Sequence, residues 1–159
     1  MCKDKTRMKL STKGRYAMVA LVDLVLNGEG RLVTLVEISE RQQISLAYLE
    51  QLFVKLRRAG IVKSVRGPTG GYRLFNDPDK VRISDILCAV DEGMTALSVG
   101  AGASGVNTET DEHNLTDKLW EQLSANVYVF LHQTRLSDVL FEQMMPCPAV
   151  PAFVELVDE

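Results

Sequence analysis

Two amphipathic segments separated by a very short turn constrain the fold of this chain more than any other feature. Residues 35–41 predict a short helix, with Thr34 as its N-terminal cap and Glu37 at the capping-box position. A turn at 42–44 precedes a longer helix, which Ser45 can cap. A short helix, a tight turn and a longer helix together form a helix-turn-helix.

A further helix precedes this motif, and a hairpin follows it. The first helical pattern begins near Lys13 and is stopped by the Asn-Gly-Glu-Gly run at 27–30. Residues 61–65 and 72–75 alternate as strands around a turn at 66–71. The sequence therefore predicts a mainly α-helical fold with a small β-hairpin wing, which is a winged helix-turn-helix.

The second half of the chain contains the longest helical pattern. Residues 115–132 carry one broad apolar stripe, and shorter helices are predicted at 83–90, capped by Ser84, and at 137–144. A long apolar face packs on its own domain or pairs with a second copy. Because helix-turn-helix proteins commonly act as dimers, we favour a homodimer. The predicted divisions are a frayed extension at 1–7, a winged helix-turn-helix domain at 8–80, a helix and mobile loop at 81–112, a dimerisation helix with a short helix at 113–144, and a C-terminal tail at 145–159.

The two halves of the chain carry opposite charge. Residues 1–80 contain 15 Lys and Arg against 8 Asp and Glu, whereas residues 81–159 contain 3 against 13. The first half thus has a balance of +7 and the second of −10, although the net charge of the whole chain is only −3. This asymmetry suggests that the first half meets a polyanion.

Composition and cysteine usage exclude several classes of protein. Hydrophobic residues make up 46% and charged residues 25%, which are ordinary globular values. No apolar run approaches the roughly 18 residues of a membrane span, and the charged N-terminus predicts no secretory signal. Cys2, Cys88 and Cys147 are widely spaced, so we expect a reducing cytoplasm and no disulfide framework. Cys88 lies on the apolar face of a helix and is expected to be buried and inert.

The longer helix and the hairpin turn carry the candidate DNA contacts. Hydroxyl and amide groups near the start of the helix can read base edges in a major groove, and basic groups later in it suit phosphates. A small, rigid hairpin tip lets an arginine enter a narrow minor groove. The residues in these roles are Ser45, Tyr48 and Gln51 for bases, Lys55, Arg57 and Arg58 for phosphates, and Arg66 with Gly67 and Pro68 at the tip.

Other functional classes find less support in the sequence. No Ser-His-Asp or Cys-His arrangement is suggested, so we expect no enzymatic activity. The remaining rival is a protein-interaction module that uses the same helix-turn-helix. Steep salt dependence of duplex binding would separate the two, because phosphate contacts release counterions.

Taken together, these motifs closely resemble the Rrf-type winged-helix repressors, and within them the iron–sulfur-cluster regulators. The resemblance covers about residues 8–140, and its most specific part is the wing sequence Arg-Gly-Pro-Thr-Gly-Gly-Tyr-Arg-Leu at 66–74. The other matching segments are 8–17, 38–42, 44–46, 48–53, 56–58, 89–92 and 114–120. Residues 1–7 look like an extension, or a start codon assigned upstream.

The resemblance implies a homodimer that binds operators of genes for cluster assembly or iron supply. It implies a 2Fe–2S cluster whose state tunes DNA binding, with iron–sulfur assembly proteins as cluster donors. It places base contacts on Ser45, Tyr48 and Gln51, and a discriminating carboxylate at Glu50, which can accept from a cytosine amino group but repels phosphate.

The cluster ligands of that family are missing from this sequence. The family uses three cysteines and one histidine, and the corresponding positions here fall near 99, at 105 or 106, at Asn114 and at Asp117. One hypothesis is a cluster held by Cys147, with His113 and Asp117 from the same or the partner subunit. The alternative is that Cys147 is a spare thiol and the regulator works without a cluster.

Overall fold

The computed structural model describes residues 12–91 and 111–144, and within them it contains six α-helices and one two-stranded antiparallel hairpin. A short 3-10 turn, Pro78–Lys80, follows the hairpin. The elements in chain order are α1 (Thr12–Leu26), α2 (Leu35–Gln42), α3 (Leu46–Arg58), β1 (Val62–Val65), β2 (Gly71–Leu74), α4 (Ile83–Asp91), α5 (Asp111–Gln133) and α6 (Leu136–Leu140). The predicted mainly helical fold with a hairpin wing is confirmed.

The start of α2 follows the sequence prediction in detail. The Thr34 hydroxyl accepts from the Glu37 amide at 3.3 Å, and the Glu37 carboxylate accepts from the Thr34 amide at 2.8 Å. This is the predicted capping box, and it satisfies donors at a helix end that would otherwise lack partners. The Arg31 guanidinium also donates to Glu37, at 2.7 Å. Together these contacts lower the pKa of the Glu37 carboxyl to about 2, with the Thr34 amide as the largest cause.

One core connects the first four helices. Its largest fully buried side chains include Leu21 of α1, Ile38 of α2 and Phe53 of α3. Burial of this apolar surface supplies the main driving force for folding. The core continues beyond residue 80, because Ile86 and Val90 of α4 belong to the same buried cluster.

The hairpin is attached to this core through one of its two faces. Val62 pairs with Leu74 and Ser64 pairs with Tyr72, and the Tyr72 ring lies edge-on to Phe53 with centroids 5.0 Å apart. An isolated bridge between Val33 and Tyr72 adds the segment before α2 to the hairpin's edge. The wing is therefore held by both backbone pairing and aromatic packing.

A polar junction joins α4 to the end of α5. The Arg82 guanidinium donates to Nε2 of His132, and Nδ1 of the same ring lies 3.2 Å from the Ser84 hydroxyl oxygen. Leu136, just after this junction, is fully buried in the common core. The junction fixes how the C-terminal end of the long helix meets the first part of the chain.

Three sequence predictions of this region are corrected by the structure. Ser84 does not cap α4: it lies inside the helix, buried, with its hydroxyl on His132. The last helix is shorter than the predicted 137–144, because the backbone leaves the helix at Phe141 and Glu142 has a positive φ of 53°. The long helix, in contrast, begins at Asp111, four residues earlier than predicted.

Several predictions concern residues outside the described part. These are the extension at 1–7, most of the mobile loop at 93–112, and the C-terminal tail with Cys147. Within the described ranges, no helix has the length and apolarity required to cross a membrane.

Candidate DNA-binding surface

The N-terminal half of α3 presents polar side chains to solvent. Leu49, Leu52 and Phe53 face the core, whereas Ser45, Glu50 and Gln51 are exposed. Ser45 stands at the N-cap position, but its side chain makes no capping hydrogen bond, which corrects the prediction that it caps the helix. Its hydroxyl is instead available to an external partner.

Tyr48 is half-buried between this surface and α1. Its ring lies edge-on to the Tyr16 ring, with centroids 5.7 Å apart and an interplanar angle of 84°. Edge-to-face packing of this kind favours one orientation of both rings. The Tyr48 side chain is thus oriented before any ligand arrives.

The turn between α2 and α3 sets the position of the exposed face. Gln43 ends α2 in the left-handed conformation, with φ 55° and ψ 38°. The Ser39 hydroxyl donates to the carbonyl of Ile44 at 2.6 Å, and the Ile44 side chain is buried. These contacts fix the direction in which the chain enters α3.

A buried carboxylate on α1, which the sequence analysis missed, ties the end of α2 to the core. Asp23 is only 3% exposed and accepts from Nε and Nη2 of Arg41 at 3.0 and 2.6 Å, and from Gln42 at 2.7 Å. Burial by itself would raise the pKa of Asp23, but the hydrogen bonds from Arg41 and Gln42 outweigh it and lower the pKa. An acidic residue within the otherwise apolar stretch 17–26 of α1 was the available sequence signal.

The basic residues late in α3 divide into two kinds. Arg57 and Arg58 are exposed, and Arg57 reaches the Ser64 hydroxyl of the hairpin at 3.4 Å. Lys55 is half-buried, and its ammonium donates to the Val90 carbonyl of α4 at 3.2 Å. The two arginines therefore suit a phosphate backbone better than Lys55, which helps to hold α4 on α3.

The wing tip exposes Arg66, Gly67 and Pro68 together. Gly67 has φ 125°, a conformation that L side chains rarely adopt, and its carbonyl accepts from the Gly70 amide at 2.9 Å. A Cβ on Gly70 would lie 2.4 Å from the Val65 carbonyl oxygen. The tip is therefore tight and narrow because two of its residues must be glycine.

The candidate metal ligands are only partly within the described chain. His113 and Asp117 both fall on α5, one helical turn apart, while Cys147 lies outside the described residues. Among the described residues, no group of three or more His, Cys, Asp and Glu side chains could hold a metal ion.

Cys88, predicted to be buried, is exposed on α4. The helix turns its apolar face inward through Ile86 and Val90, and Cys88 lies on the other side. Partial burial, with a smaller contribution from Asp85, raises the pKa of its thiol. The thiol therefore stays protonated and weakly nucleophilic at neutral pH.

Comparison with known proteins identifies the relatives of this architecture. Residues 10–142 match the Rrf2 family, described as an iron-dependent transcriptional regulator. The chain belongs to the Rrf2 family. It is 61% identical over 154 residues to the HTH-type transcriptional regulator IscR of Cereibacter sphaeroides, covering 96% of this chain and 99% of that protein. It is 46% identical to the IscR of Aliivibrio salmonicida, over 85% of this chain and 79% of that one.

Solved structures support the same assignment. CymR, the global cysteine regulator of B. subtilis, superposes with a TM-score of 0.68 at 32% identity, over 89% of this chain and 98% of that chain. The T. potens IscR superposes with a TM-score of 0.67 at 34% identity, over 87% of this chain and 93% of that chain. The expected resemblance to Rrf-type repressors is confirmed, and this Rrf2 chain is a DNA-binding transcriptional regulator rather than an enzyme.

Proposed function

We propose that this Rrf2 protein is a homodimeric, sequence-specific regulator, mainly a repressor, of genes for iron–sulfur cluster assembly and iron metabolism. The relatives named IscR and the iron-dependent description of the family support the gene class. The observation that carries the DNA-binding part is the exposed polar start of α3 beside a rigid, arginine-tipped wing.

In this proposal α3 enters a major groove with its N-terminal end foremost. Ser45, Tyr48 and Gln51 contact bases, and Glu50 discriminates between site classes, because a carboxylate accepts from cytosine but is repelled by phosphate. Arg57 and Arg58 contact the phosphate backbone. Arg66, with Gly67 and Pro68, enters the adjacent minor groove.

Substitution of the wing arginine tests the DNA contact. We expect Arg66→Ala to weaken binding to a duplex selected by the protein from a random library by roughly fivefold to a hundredfold, because an arginine in a groove is worth about 1–3 kcal/mol. Thermal unfolding should not change, since Arg66 is exposed. Lys80→Ala, at an exposed lysine paired with Asp77, is the matched control. Normal binding by Arg66→Ala would overturn the wing assignment.

The second copy in the proposed dimer covers the apolar stripe of α5. Leu119 is 62% exposed, and Leu123 and Phe130 on the same side are also exposed. Exposed apolar stripes on long helices are typical of surfaces that pair with another helix. A twofold dimer would place two copies of α3 on one side, spaced to meet successive turns of the duplex.

A charge placed in this stripe tests the dimer. We expect Leu119→Glu to shift sedimentation from dimer to monomer and to weaken operator binding strongly, because the second half-site is no longer engaged. Ala125→Glu is the control, since Ala125 is exposed and lies roughly 120° around the helix from Leu119. A Leu119→Glu protein that remains dimeric would exclude this face as the interface.

For sensing, the proposal assigns a 2Fe–2S cluster to Cys147 with His113 and Asp117, from one or both subunits. Mixed cysteine and histidine ligation occurs in 2Fe–2S centres, so Cys147 and His113 suit such a centre. Asp117 lies one turn after His113 on α5 and would add a carboxylate donor on the same helix. When bound, the cluster would supply a signal sensitive to iron and oxidation. Iron–sulfur assembly proteins would be its donors.

Anaerobic purification tests the cluster directly. We expect coloured wild-type protein with roughly stoichiometric iron and sulfide, and bleaching by Cys147→Ser. Cys88→Ser is the control, because that thiol is exposed and has a raised pKa. Colourless wild-type protein that still binds its operator would instead establish the alternative, a cluster-free regulator of the same family.

A further inference from the structure

The outer face of the hairpin presents two positive charges directly opposite each other. Lys63 of β1 and Arg73 of β2 are Cα partners in the antiparallel register. Successive side chains of a strand point to opposite faces, and the neighbouring Val62 and Tyr72 point to the core. Lys63 and Arg73 therefore share the face that looks away from the core.

Nothing in the described chain neutralises this pair. Within residues 12–91 and 111–144, ion pairs join Arg31 to Glu37, Arg41 to Asp23 and Lys80 to Asp77, and none reaches Lys63 or Arg73. Like charges directly opposite on a hairpin are destabilising. The hairpin thus carries an electrostatic penalty that an external anion would relieve.

An exposed aromatic ring orients one of the two charges. The Lys63 ammonium lies over the Phe75 ring, 5.3 Å from its centroid, although Phe75 is 56% exposed. A cation over an aromatic face is held electrostatically and loses less freedom on binding an anion. The ammonium is therefore partly preorganised at the outer face, on which Arg73 is the Cα partner of Lys63.

The position of the pair relative to the wing tip indicates which anion it meets. Lys63 precedes Arg66 by three residues, which is about 10 Å along a strand at roughly 3.3 Å per residue. A minor groove is only about 6 Å wide. With Arg66 in the groove, the pair lies beyond its edge, at the phosphates that border it.

We propose that Lys63 and Arg73 form a second phosphate-binding site on the outer face of the wing, with double-stranded DNA as its occupant. The site extends the wing's contact from the groove to the backbone beside it. This inference rests on the proposed insertion of Arg66. Since phosphate contacts position a protein but carry no sequence information, the site contributes affinity rather than discrimination.

The test compares charge-neutral variants on two duplexes over a range of salt. Lys63→Gln, Arg73→Gln and the double variant are titrated with a duplex of about 30 base pairs selected by the protein and with a scrambled duplex. We expect the slope of log affinity against log salt to fall by about 0.9 per substitution. The loss of affinity between 50 and 200 mM salt then shrinks roughly threefold for each contact removed. The preference for the selected duplex should not change.

Lys80→Gln provides the matched control, because it removes the same charge from an exposed lysine on the 3-10 turn. An unchanged slope in the double variant would overturn the site and leave an acidic protein as the occupant to test. An equal fall of the slope in Lys80→Gln would overturn it too, because the effect would then reflect net charge alone. A wild-type protein without salt-dependent duplex binding would contradict the proposed function itself. The double variant should unfold at nearly the same temperature as wild type, because it relieves like-charge repulsion but loses the contact between Lys63 and Phe75.

Discussion

Apolar side chains are exposed to different extents in the first described region, residues 12–91, and in the second, residues 111–144. In the first region the inward-facing side chains of the helices, such as Phe53 and Leu21, are fully buried within one chain. In the second, Leu119 and Phe141 are 62% and 68% exposed. The first region supplies most of the buried core, and Leu136 of the second region joins it, whereas α5 presents an exposed apolar face. This contrast is what the proposed homodimer requires, because the exposed face of α5 is where a second copy would pack.

The largest expected effect comes from truncating a large buried side chain in the core of the first region. Phe53→Ala should lower the free energy of unfolding by about 3–5 kcal/mol, because it removes a buried ring and leaves a cavity beneath α3. Urea unfolding at several protein concentrations measures this. Phe130→Ala on α5 should lower the free energy of unfolding by less than Phe53→Ala does. This decrease should depend on protein concentration if a second copy covers the ring. Equal, concentration-independent costs would contradict the comparison.

The buried ion pair of the first region gives the next effect. Asp23→Ala should destabilise by about 2 kcal/mol, between the limits for buried and surface pairs, because Arg41 remains one-third exposed. It should also weaken operator binding, since the end of α2 loses its tether to α1. Asp77→Ala, at an exposed pair, should change stability by less than about 0.5 kcal/mol. Similar losses in both variants would mean that the Asp23 network does not position the motif.

The capping box of α2 predicts a smaller effect with a pH signature. Glu37→Gln should lower the free energy of unfolding by roughly 0.5–1 kcal/mol at neutral pH, because one capping carboxylate is lost. The folded pKa of Glu37 is about 2, below its ordinary 4.5, so its contribution is present above that ordinary value and is lost as pH falls toward 2. Unfolding free energy measured between pH 4.5 and pH 2 should therefore fall less steeply in Glu37→Gln. An unchanged slope would exclude this linkage.

The smallest expected effect is at Cys88. Cys88→Ser should change the unfolding free energy by less than about 0.5 kcal/mol, because the side chain is exposed on α4. Slow reaction with a thiol reagent at neutral pH, relative to a free cysteine, would agree with its raised pKa. If Cys88→Ser lowered the unfolding free energy by about 2 kcal/mol or more, Cys88 would be a buried core residue, as the sequence analysis expected.

Most elements followed from local patterns in the sequence. The helix-turn-helix and the capping box at Thr34 and Glu37 were predictable because helical periodicity and capping act within a few residues. The hairpin was predictable from alternation around a Gly-rich turn. Errors arose where long-range contacts decided the outcome: Ser84 meets His132 48 residues away, and Asp23 meets Arg41 18 residues away.

The candidate DNA surface was also partly readable from the sequence. The exposure of Ser45, Glu50 and Gln51 followed from the apolar spacing of α3. The assignment of Lys55 to phosphate was less apt, because its ammonium contacts the Val90 carbonyl of α4. The opposition of Lys63 and Arg73 could not be read without the strand register, since a shift of one residue would turn either side chain to the other face.

The sequence by itself determined the order of elements, the charge asymmetry and the identity of the wing, because these depend on local propensity and composition. Only the tertiary structure decided which polar groups are used internally and which face outward. It directed Ser84 and Asp23 into buried hydrogen bonds, and it left Cys88 and the Lys63–Arg73 pair at the surface. The physical reason is that burial and pairing depend on neighbours distant in sequence, whereas helix caps and turns depend on neighbours within one turn.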